Sequence, residues 1–425
     1  MVTVAFRSAL AVVLGAAGAP TTPVISDSGA RQAVSLDGGG WTLTLDPANP
    51  ATQRIKAAKG KVAGAVELPG AWEAQGFGEE TTTMQHQYIG VGVYSRTVTV
   101  PPAFTASLRQ PGATVWLVVQ RIQRAATVTA GGTLVGRHVG YLSPFEGDVT
   151  QHITEAGQLN LSIAVDAQRR KGLDGLQGEE DLETDGTGLG GWGGIGGHVT
   201  LDLRGVGWIM HPHVQHKLSS SGPFSGGVNY SASVNVSIEV GGQSAGTGFQ
   251  MRVTLFDPLN KTVSAPQSVN CPDLGSACTG ADATLFVPAL WSPRSPMQHT
   301  AKIELISAGG SVIDSVSVRF GVRQLEVIGY HWKLNGEWLY LHGYGDDSIY
   351  PMFTSPPLSR SFYKGRLQFA HGLGMNFVRH HSHILPIEYF DAACEVGVMV
   401  SAEFPIAYGK PHDCDSPRKG GCDPL

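Results

Sequence analysis

At 425 residues the chain is long enough for about two to four domains with sizeable cores. Its 56 glycines and a charged fraction of only 15% favour turn-rich β-structure over long helices. A net charge of −5 with 15 histidines gives no broad basic surface, which argues against nucleic acid as a partner. The sequence also lacks an apolar run of the roughly 18 to 20 residues that would cross a membrane.

Residues 1–19 have the pattern of a signal peptide, which predicts a secreted protein. Arg7 is the only charge, and the segment from Ala9 to Ala19 is apolar and small, with Ala-x-Ala-like cleavage sites. A flexible apolar tail is the alternative. Four Asn-x-Ser/Thr triplets agree with secretion without establishing it; they begin at Asn160, Asn229, Asn235 and Asn260.

Residues 30–210 read as short strands separated by glycine turns. Tyr94, Val98 and Val100 alternate with polar residues, 115–119 is a continuous apolar run, and alternation returns at 161–165. This pattern predicts a β-sandwich.

A glycine-rich segment, 172–197, interrupts this block. Its acidic residues would suit a calcium ion, but no EF-hand spacing appears, so a solvated loop is the favoured interpretation. These residues are Glu179, Glu180, Asp181, Glu183 and Asp185. Trp192 has two readings: an indole that stacks on a sugar face, or a side chain that fills the edge of the sandwich.

Residues 211–325 form a second β block of about the size of an immunoglobulin-like sandwich. Alternating apolar residues occur at 234–240, 249–255 and 316–320. Two local disulfides are predicted, Cys271–Cys278 and Cys414–Cys422, leaving Cys394 as a lone buried thiol. A metal site is disfavoured because no C-x-x-C spacing is present.

Residues 326–425 change to alternating strands and helices. Predicted strands cover 338–343, 376–379 and 398–402, and predicted helices cover 364–371 and 387–396. Strands connected in this way are parallel, and ligands bind where their carboxyl ends meet. The polar residues that follow the three strands are Asp346, Asp347, His380, His381, Ser382, His383 and Glu403.

The histidines allow two interpretations. If the second strand continued, Arg379, His381 and His383 would share one face and His380 would occupy the other. An H-x-H pair suits zinc, but a third ligand is not assured. Hydrogen bonding of a neutral imidazole to a sugar hydroxyl is therefore preferred, and neither a metal nor a cofactor is expected. The carboxylates have a structural alternative, which is to cap helices or to pair with Arg379.

Several short motifs, in this order, resemble the glycoside hydrolases of family 2, which include β-galactosidases, β-glucuronidases and β-mannosidases. They are Leu68-Pro69-Gly70-Ala71-Trp72, the run 88–94, Val100-Pro101, Gly136-Arg137-His138, Ser143-Pro144-Phe145-Glu146, the run 190–195, Leu290-Trp291-Ser292-Pro293, the run 319–323, Leu334-Asn335-Gly336 and Leu341-His342-Gly343. Each motif is short, but their order and spacing over roughly residues 65 to 405 are specific to that family.

The resemblance implies a multidomain, mainly β chain: a jelly-roll-like sugar-binding sandwich (30–210), an immunoglobulin-like sandwich (211–325) and a (β/α)₈ TIM barrel truncated after about three strands (326–425). Such a barrel needs about 250 residues. The family's acid/base glutamate, in an Asn-Glu pair after the fourth barrel strand, and its nucleophilic glutamate near the seventh then have no position here. No residue of this chain is therefore expected to be catalytic.

The carried-over substrate-binding residues are Asp346, Asp347, Arg379, His381, His383 and Glu403, with Trp192 added from its own position. The resemblance implies that the carboxylates among them bind sugar hydroxyls or a supporting cation. The family pattern Arg-x-Ser-His-Tyr-Pro is altered, since one residue is inserted and Ile384-Leu385 replaces Tyr-Pro. His381 and His383 are therefore alternative candidates for the histidine of this pattern, and His383 is favoured because it follows Ser382. Asp346-Asp347 replaces a stretch that usually contains Asn and His, which leaves the sugar preference open.

Two functions remain. In the first, the chain is the amino-terminal part of a secreted, retaining exo-β-glycosidase similar to β-galactosidase or β-glucuronidase, inactive without further sequence. In the second, it is a non-catalytic carbohydrate-binding or inert protein. The partner is a β-glycoside in the first case, and a homo-oligomer is left open in both.

Overall fold

The computed structural model of the chain describes residues 32–80, 86–168, 192–221, 229–242, 248–271, 274–275, 277–348, 350–381 and 383–403. Three predictions concern residues outside these ranges: the signal peptide, the acidic residues 179–185 and the Cys414–Cys422 bridge. Ser382 also lies outside them. Within the described ranges, no helix is long and apolar enough to cross a bilayer.

The first sandwich comprises strands β1 to β15 and two short helices. The strands are β1 (Gln32–Ser35), β2 (Gly38–Leu45), β3 (Ala63–Leu68), β4 (Gly70–Ala71), β5 (Glu79–Glu80), β6 (His86–Gln87), β7 (Val91–Thr99), β8 (Thr114–Val119), β9 (Ile122–Gln123), β10 (Ala125–Ala130), β11 (Thr133–Val139), β12 (Phe145–Asp148), β13 (Gln158–Asp166), β14 (Gly194–Ile195) and β15 (Val199–Arg204). The helices are α1 (Pro50–Ala57) and α2 (Pro102–Ser107).

Two sheets face each other across one core in this sandwich. The larger has the order β11-β10-β13-β7-β2-β3 and the smaller β1-β15-β8-β12. Tyr94, Leu161 and Ile163 are buried between them, as the alternation of apolar and polar residues predicts. Gly131 and Gly132 have φ angles of 58° and 82° and form the tight turn between β10 and β11, a conformation that favours glycine.

The second sandwich comprises nine strands. They are β16 (Gly207–Ser221), β17 (Asn229–Gly242), β18 (Gln250–Phe256), β19 (Gln267–Asn270), β20 (Ala277–Phe286), β21 (Trp291–Ser292), β22 (Ser295–Pro296), β23 (His299–Ile306) and β24 (Val312–Phe320). Sheets of order β16-β17-β20 and β19-β18-β23-β24 enclose a core that includes Val234, Val236, Met251 and Val253. The predicted Cys271–Cys278 disulfide is present.

After the second sandwich, a meander of three antiparallel strands leads into the strand–helix unit, residues 343–403. The meander contains β25 (Leu325–Ile328), β26 (His331–Leu334) and β27 (Glu337–Leu339). The strand–helix unit contains β28 (Gly343–Asp346), α3 (Arg360–Gly372), β29 (Phe377–His380), α4 (Ile387–Val396) and β30 (Met399–Ala402). Its strands are parallel, in the order β28-β29-β30, as predicted.

One predicted strand is wrong in position. The run 338–343 is not continuous, because β27 ends at Leu339 and the parallel strand begins at Gly343. The side chains of Trp338 and Tyr340 are exposed, so these aromatic residues do not mark a buried strand. At Gly343 a side chain would collide with the carbonyl of Phe377 on the neighbouring strand, which explains why β28 begins on a glycine.

The two helices pack on one face of the parallel sheet and on each other. Helix α4 has the predicted bounds, whereas α3 begins four residues before the predicted start at 364. The hydroxyl of Ser359 caps α3 by accepting a hydrogen bond from the Phe362 amide at 3.2 Å, which fixes its actual start.

The carboxyl-terminal half of helix α4 is attached to the second sandwich. Arg319 of β24 pairs with Asp391 at 3.0 Å and with Glu395 at 2.9 Å. The indole nitrogen of Trp291 donates a hydrogen bond to the Cys394 carbonyl at 2.9 Å. Cys394 is a free thiol that is partly rather than fully buried. These contacts fix the helix against the sandwich through both side chains and backbone.

Candidate functional site

The predicted polar residues do meet at the carboxyl edge of the parallel sheet. Asp346 and His380, which end β28 and β29, pair in register with each other, and His380 pairs with Ala402, which ends β30. Asp347 and Glu403 follow the outer two strands directly. Parallel pairing therefore brings residues that are separated by up to about sixty positions to one edge.

Arg379 and Glu403 form a two-point ion pair at this edge. The Nε and Nη2 atoms of Arg379 donate to Oε1 and Oε2 of Glu403 at 2.5 Å and 3.1 Å. Both side chains remain partly exposed, at 51% and 30%. The fork geometry fixes both planar groups. The predicted structural alternative for Glu403, pairing with Arg379, is present.

Asp346 is held from two directions. One carboxylate oxygen accepts a hydrogen bond from the backbone amide of Ser348 at 2.8 Å, and the other accepts one from Arg366 of helix α3 at 3.3 Å. Its side chain is largely buried. Asp346 thus stabilises the turn that leaves β28.

Asp347 and two histidines form a second polar group. The Nδ1 of His381 lies 3.2 Å from Oδ1 of Asp347, and the Nδ1–H of His383 is donated to the His381 carbonyl at 2.5 Å. Nδ1 is thus the nitrogen that donates within the loop, and Nε2 is the other ring nitrogen of His383. His383 is buried and His381 is only partly exposed.

Arg379, His381 and His383 were predicted to share one face if the second strand continued. Strand β29 ends at His380, so the alternation does not extend to His381 and His383. Alternation holds within the strand: Arg379 is exposed and His380 is buried. Within the described ranges, no group of three His, Cys, Asp or Glu side chains is arranged to share a metal ion.

His380 is a residue whose place in the core was not predicted. Its Nδ1 lies 3.2 Å from the hydroxyl of Ser348, and its ring packs edge-on against Tyr389 with centroids 4.6 Å apart. Burial lowers the pKa of His380 to about 4, so the ring is neutral at physiological pH. The signal in the sequence was its position beside Val378 on a two-residue repeat, which places it toward the helices.

Trp192 does not offer its face to a sugar. It is 7% exposed and packs against Ala71 and edge-on against Tyr141, with ring centroids 5.5 Å apart. Gly196 lies so close to the indole that an added Cβ would fall 2.6 Å from the ring. The sugar-stacking reading is therefore wrong, because the indole is covered, and the packing reading describes the structure.

A buried charged triad that sequence reasoning missed joins the first sandwich to the strand–helix unit. The Nδ1 and Nε2 atoms of His198 lie 2.6 Å from Asp37 and 3.2 Å from Glu388 of helix α4. Burial alone would lower the pKa of His198, but hydrogen bonds to the two carboxylates and their charges outweigh it and raise the pKa to about 9. The imidazolium is thus the stable form at neutral pH.

The similarity of this chain to known proteins agrees with its motifs. The model of the family described as "Glycosyl hydrolases family 2" matches residues 226–323, which lie in the second sandwich. A beta-galactosidase of Thermoanaerobacter pseudethanolicus is 23% identical over 332 residues, which cover 76% of this chain and 41% of that protein. A beta-glucuronidase of Paenibacillus borealis is 22% identical over 278 residues, which cover 61% of this chain and 40% of that protein.

The fold also matches solved structures. The beta-glucuronidase of Bifidobacterium dentium, determined with coumarin-3-O-glucuronide, superposes with a TM-score of 0.70 at 22% identity over 90% of this chain and 62% of that one. The chain therefore spans less than two thirds of the length of these relatives. In motif order, sequence and fold the chain is thus similar to the glycosyl hydrolases of family 2, whose family model matches its residues 226–323.

Proposed function

We propose that the chain contributes the sugar-binding part of a β-glycosidase, similar to the beta-galactosidases and beta-glucuronidases among its relatives. The observation that supports this most strongly is the partly exposed Arg379–Glu403 ion pair at the carboxyl edge of parallel strands. Sugar hydroxyls both donate and accept hydrogen bonds, so a fixed carboxylate beside a fixed guanidinium suits two adjacent hydroxyls. The proposed binding residues are Asp346, Asp347, Arg379, His381, His383 and Glu403.

We also propose that these carboxylates bind the substrate and do not perform the hydrolysis. A retaining glycosidase uses two carboxyl groups about 5 to 5.5 Å apart, of which one must be protonated to donate to the leaving oxygen. Glu403 is ion-paired with Arg379 and Asp346 with Arg366, so oxygens of both carboxylates already accept hydrogen bonds from guanidinium groups. Neither group is suited to be the general acid.

Three finer points belong to the same proposal. The first sandwich is jelly-roll-like and the second immunoglobulin-like, with boundaries near residues 210 and 325. The strand–helix unit corresponds to the first three strands of a (β/α)₈ barrel, since parallel strands covered by helices on one face are its repeating unit. The protein is secreted, for which the Cys271–Cys278 disulfide gives support, because such bonds persist in oxidising compartments.

Sugar binding and hydrolysis are tested separately on the purified 425-residue chain. We expect methyl β-D-galactoside or methyl β-D-glucuronide to raise the melting temperature of the wild type, and Glu403→Gln to abolish that rise. The matched control is Glu304→Gln, which breaks a similar pair with Arg252 in the second sandwich. Sugar binding at this site is refuted if neither sugar raises the melting temperature of the wild type. It is also refuted if the sugars change the melting temperatures of Glu403→Gln and Glu304→Gln by the same amount.

Nitrophenyl β-galactoside and nitrophenyl β-glucuronide test the second part of the proposal. We expect the chain to release no nitrophenol, because the paired carboxylates supply no general acid. Turnover that survives purification and is lost in Glu403→Gln would show that the residue is catalytic. The ion-paired state of these carboxylates also favours a second candidate, a carbohydrate-binding protein without hydrolysis. In that case, extending the chain would not produce turnover of either substrate.

A further inference from the structure

A residue of the first sandwich reaches the loop that carries His383. Arg121 lies between β8 and β9, and its guanidinium Nη2 donates a hydrogen bond to the carbonyl of Ile384 at 2.9 Å. Ile384 directly follows His383 in the chain. This contact joins residues 263 positions apart, so the first sandwich acts directly on the backbone of the proposed site.

The orientation of Arg121 is fixed by aromatic packing. Its guanidinium lies 4.2 Å from the ring centroid of Tyr141, and its Nε donates to the Tyr141 hydroxyl at 2.8 Å. Tyr141 is itself buried against Trp192. The contacts from Trp192 to Tyr141 and from Tyr141 to Arg121 therefore hold one guanidinium against one carbonyl, with little rotational freedom left to any of the three side chains.

The loop between β29 and α4 is thereby held at two points. At its start, the His381 amide donates to the Asp346 carbonyl at 3.1 Å. At its other end, the Ile384 carbonyl accepts from Arg121. His383 lies between these points, directly before Ile384, and its Nδ1–H is donated to the His381 carbonyl.

We propose that Arg121 is a positioning residue that aims the His383 imidazole into the sugar site, with Tyr141 and Trp192 as its support. The functional consequence rests on the proposed glycoside-binding function, whereas the structural consequence does not. A hydrogen bond from a charged donor is among the stronger hydrogen bonds in proteins. Its loss should therefore change both the stability of the loop and the affinity for a sugar.

The structural consequence is tested by hydrogen–deuterium exchange in the full chain. The amides of His381 and Tyr389, which donate to the Asp346 and Pro386 carbonyls, report on the loop and its junction with helix α4. With Arg121→Ala we expect the peptide covering 381–389 to exchange about tenfold faster, because the loop opens more often. Arg252→Ala, which removes an arginine of the second sandwich, should leave that peptide unchanged. Equal exchange in wild type and Arg121→Ala overturns the proposal.

The functional consequence is tested by a double-mutant cycle on the affinity for methyl β-D-galactoside and methyl β-D-glucuronide. If Arg121 acts through His383, Arg121→Ala weakens binding about tenfold in the wild type but less than about twofold in His383→Ala. Equal losses in both backgrounds overturn the positioning role. If the wild type binds neither sugar, the proposed function has failed, and the exchange experiment alone decides whether Arg121 holds the loop.

Discussion

Replacing His198 by glutamine should weaken the attachment of the first sandwich to the strand–helix unit. His198 lies between Asp37 and Glu388, and its pKa is raised from 6.5 to about 9. Each tenfold change in proton affinity corresponds to about 1.4 kcal/mol, so the charged ring stabilises the folded state by about 3 kcal/mol. The variant also leaves two buried carboxylates without a cation between them, which adds to the loss.

The effect has a defined pH window because the pKa of His198 is higher in the folded than in the unfolded state. Below about pH 6.5 the ring is protonated in both states, and the full stabilisation is present. Between about pH 6.5 and 9 the unfolded chain loses its proton first, so the stabilisation declines. The difference between wild type and His198→Gln should therefore be largest near pH 6 and small near pH 9.5.

Urea unfolding at a series of pH values measures this difference, since the free energy of unfolding falls linearly with urea concentration. The matched control is His211→Gln, because His211 pairs with Glu239 at 3.1 Å on the exposed surface and should contribute less than about 1 kcal/mol. The reasoning is refuted if His198→Gln loses less than about 1 kcal/mol near pH 6, or if its loss is the same near pH 9.5.

Two further predictions concern stability. Burial raises the pKa of Glu73 to about 8, although the Gly193 amide donates to it at 3.1 Å, so folding favours its protonated form and the wild type loses stability as pH rises from about 4.5 to 8. Glu73→Gln should be at least as stable as wild type at pH 7 and lack that decline in urea unfolding; a lower stability throughout would contradict this. Replacing Cys271 and Cys278 together by serine should cost about 2 to 3 kcal/mol, since the bridge closes a short loop, and an unchanged melting temperature would contradict this.

The sequence predicted those parts of the fold that depend on local periodicity. Alternation at 234–240 and 249–255 corresponds to β17 and, apart from Phe249 just before it, to β18, because every second side chain is buried between two sheets. The helix 387–396 was predicted with its true bounds, since Gly397 adopts a left-handed φ of 90° and ends it. The strand predicted at 338–343 was wrong, because the sequence alone does not distinguish the exposed aromatic residues Trp338 and Tyr340 from buried ones.

The sequence predicted that these polar residues would lie at one edge of the sheet and offered the Arg379–Glu403 pair as an alternative, but it did not predict their contacts with the first sandwich. Parallel strands place their carboxyl ends together, and this rule was enough to select Arg379 and Glu403. The roles of Trp192 and Arg121, by contrast, depend on which surfaces of the first sandwich meet the loop after β29. Contacts such as Arg121 to Ile384 join residues hundreds of positions apart, and no local pattern encodes them.

Helix α4 is attached to both sandwiches at once. Glu388 in its first turn pairs with His198 of the first sandwich. Asp391 and Glu395, further along the helix, pair with Arg319 of the second sandwich. The ten-residue helix is only about 15 Å long, so a rotation of either sandwich would be transmitted to it as a tilt. Because β30 begins three residues after this helix ends and Glu403 follows β30, the helix connects both sandwiches to the strand that precedes Glu403.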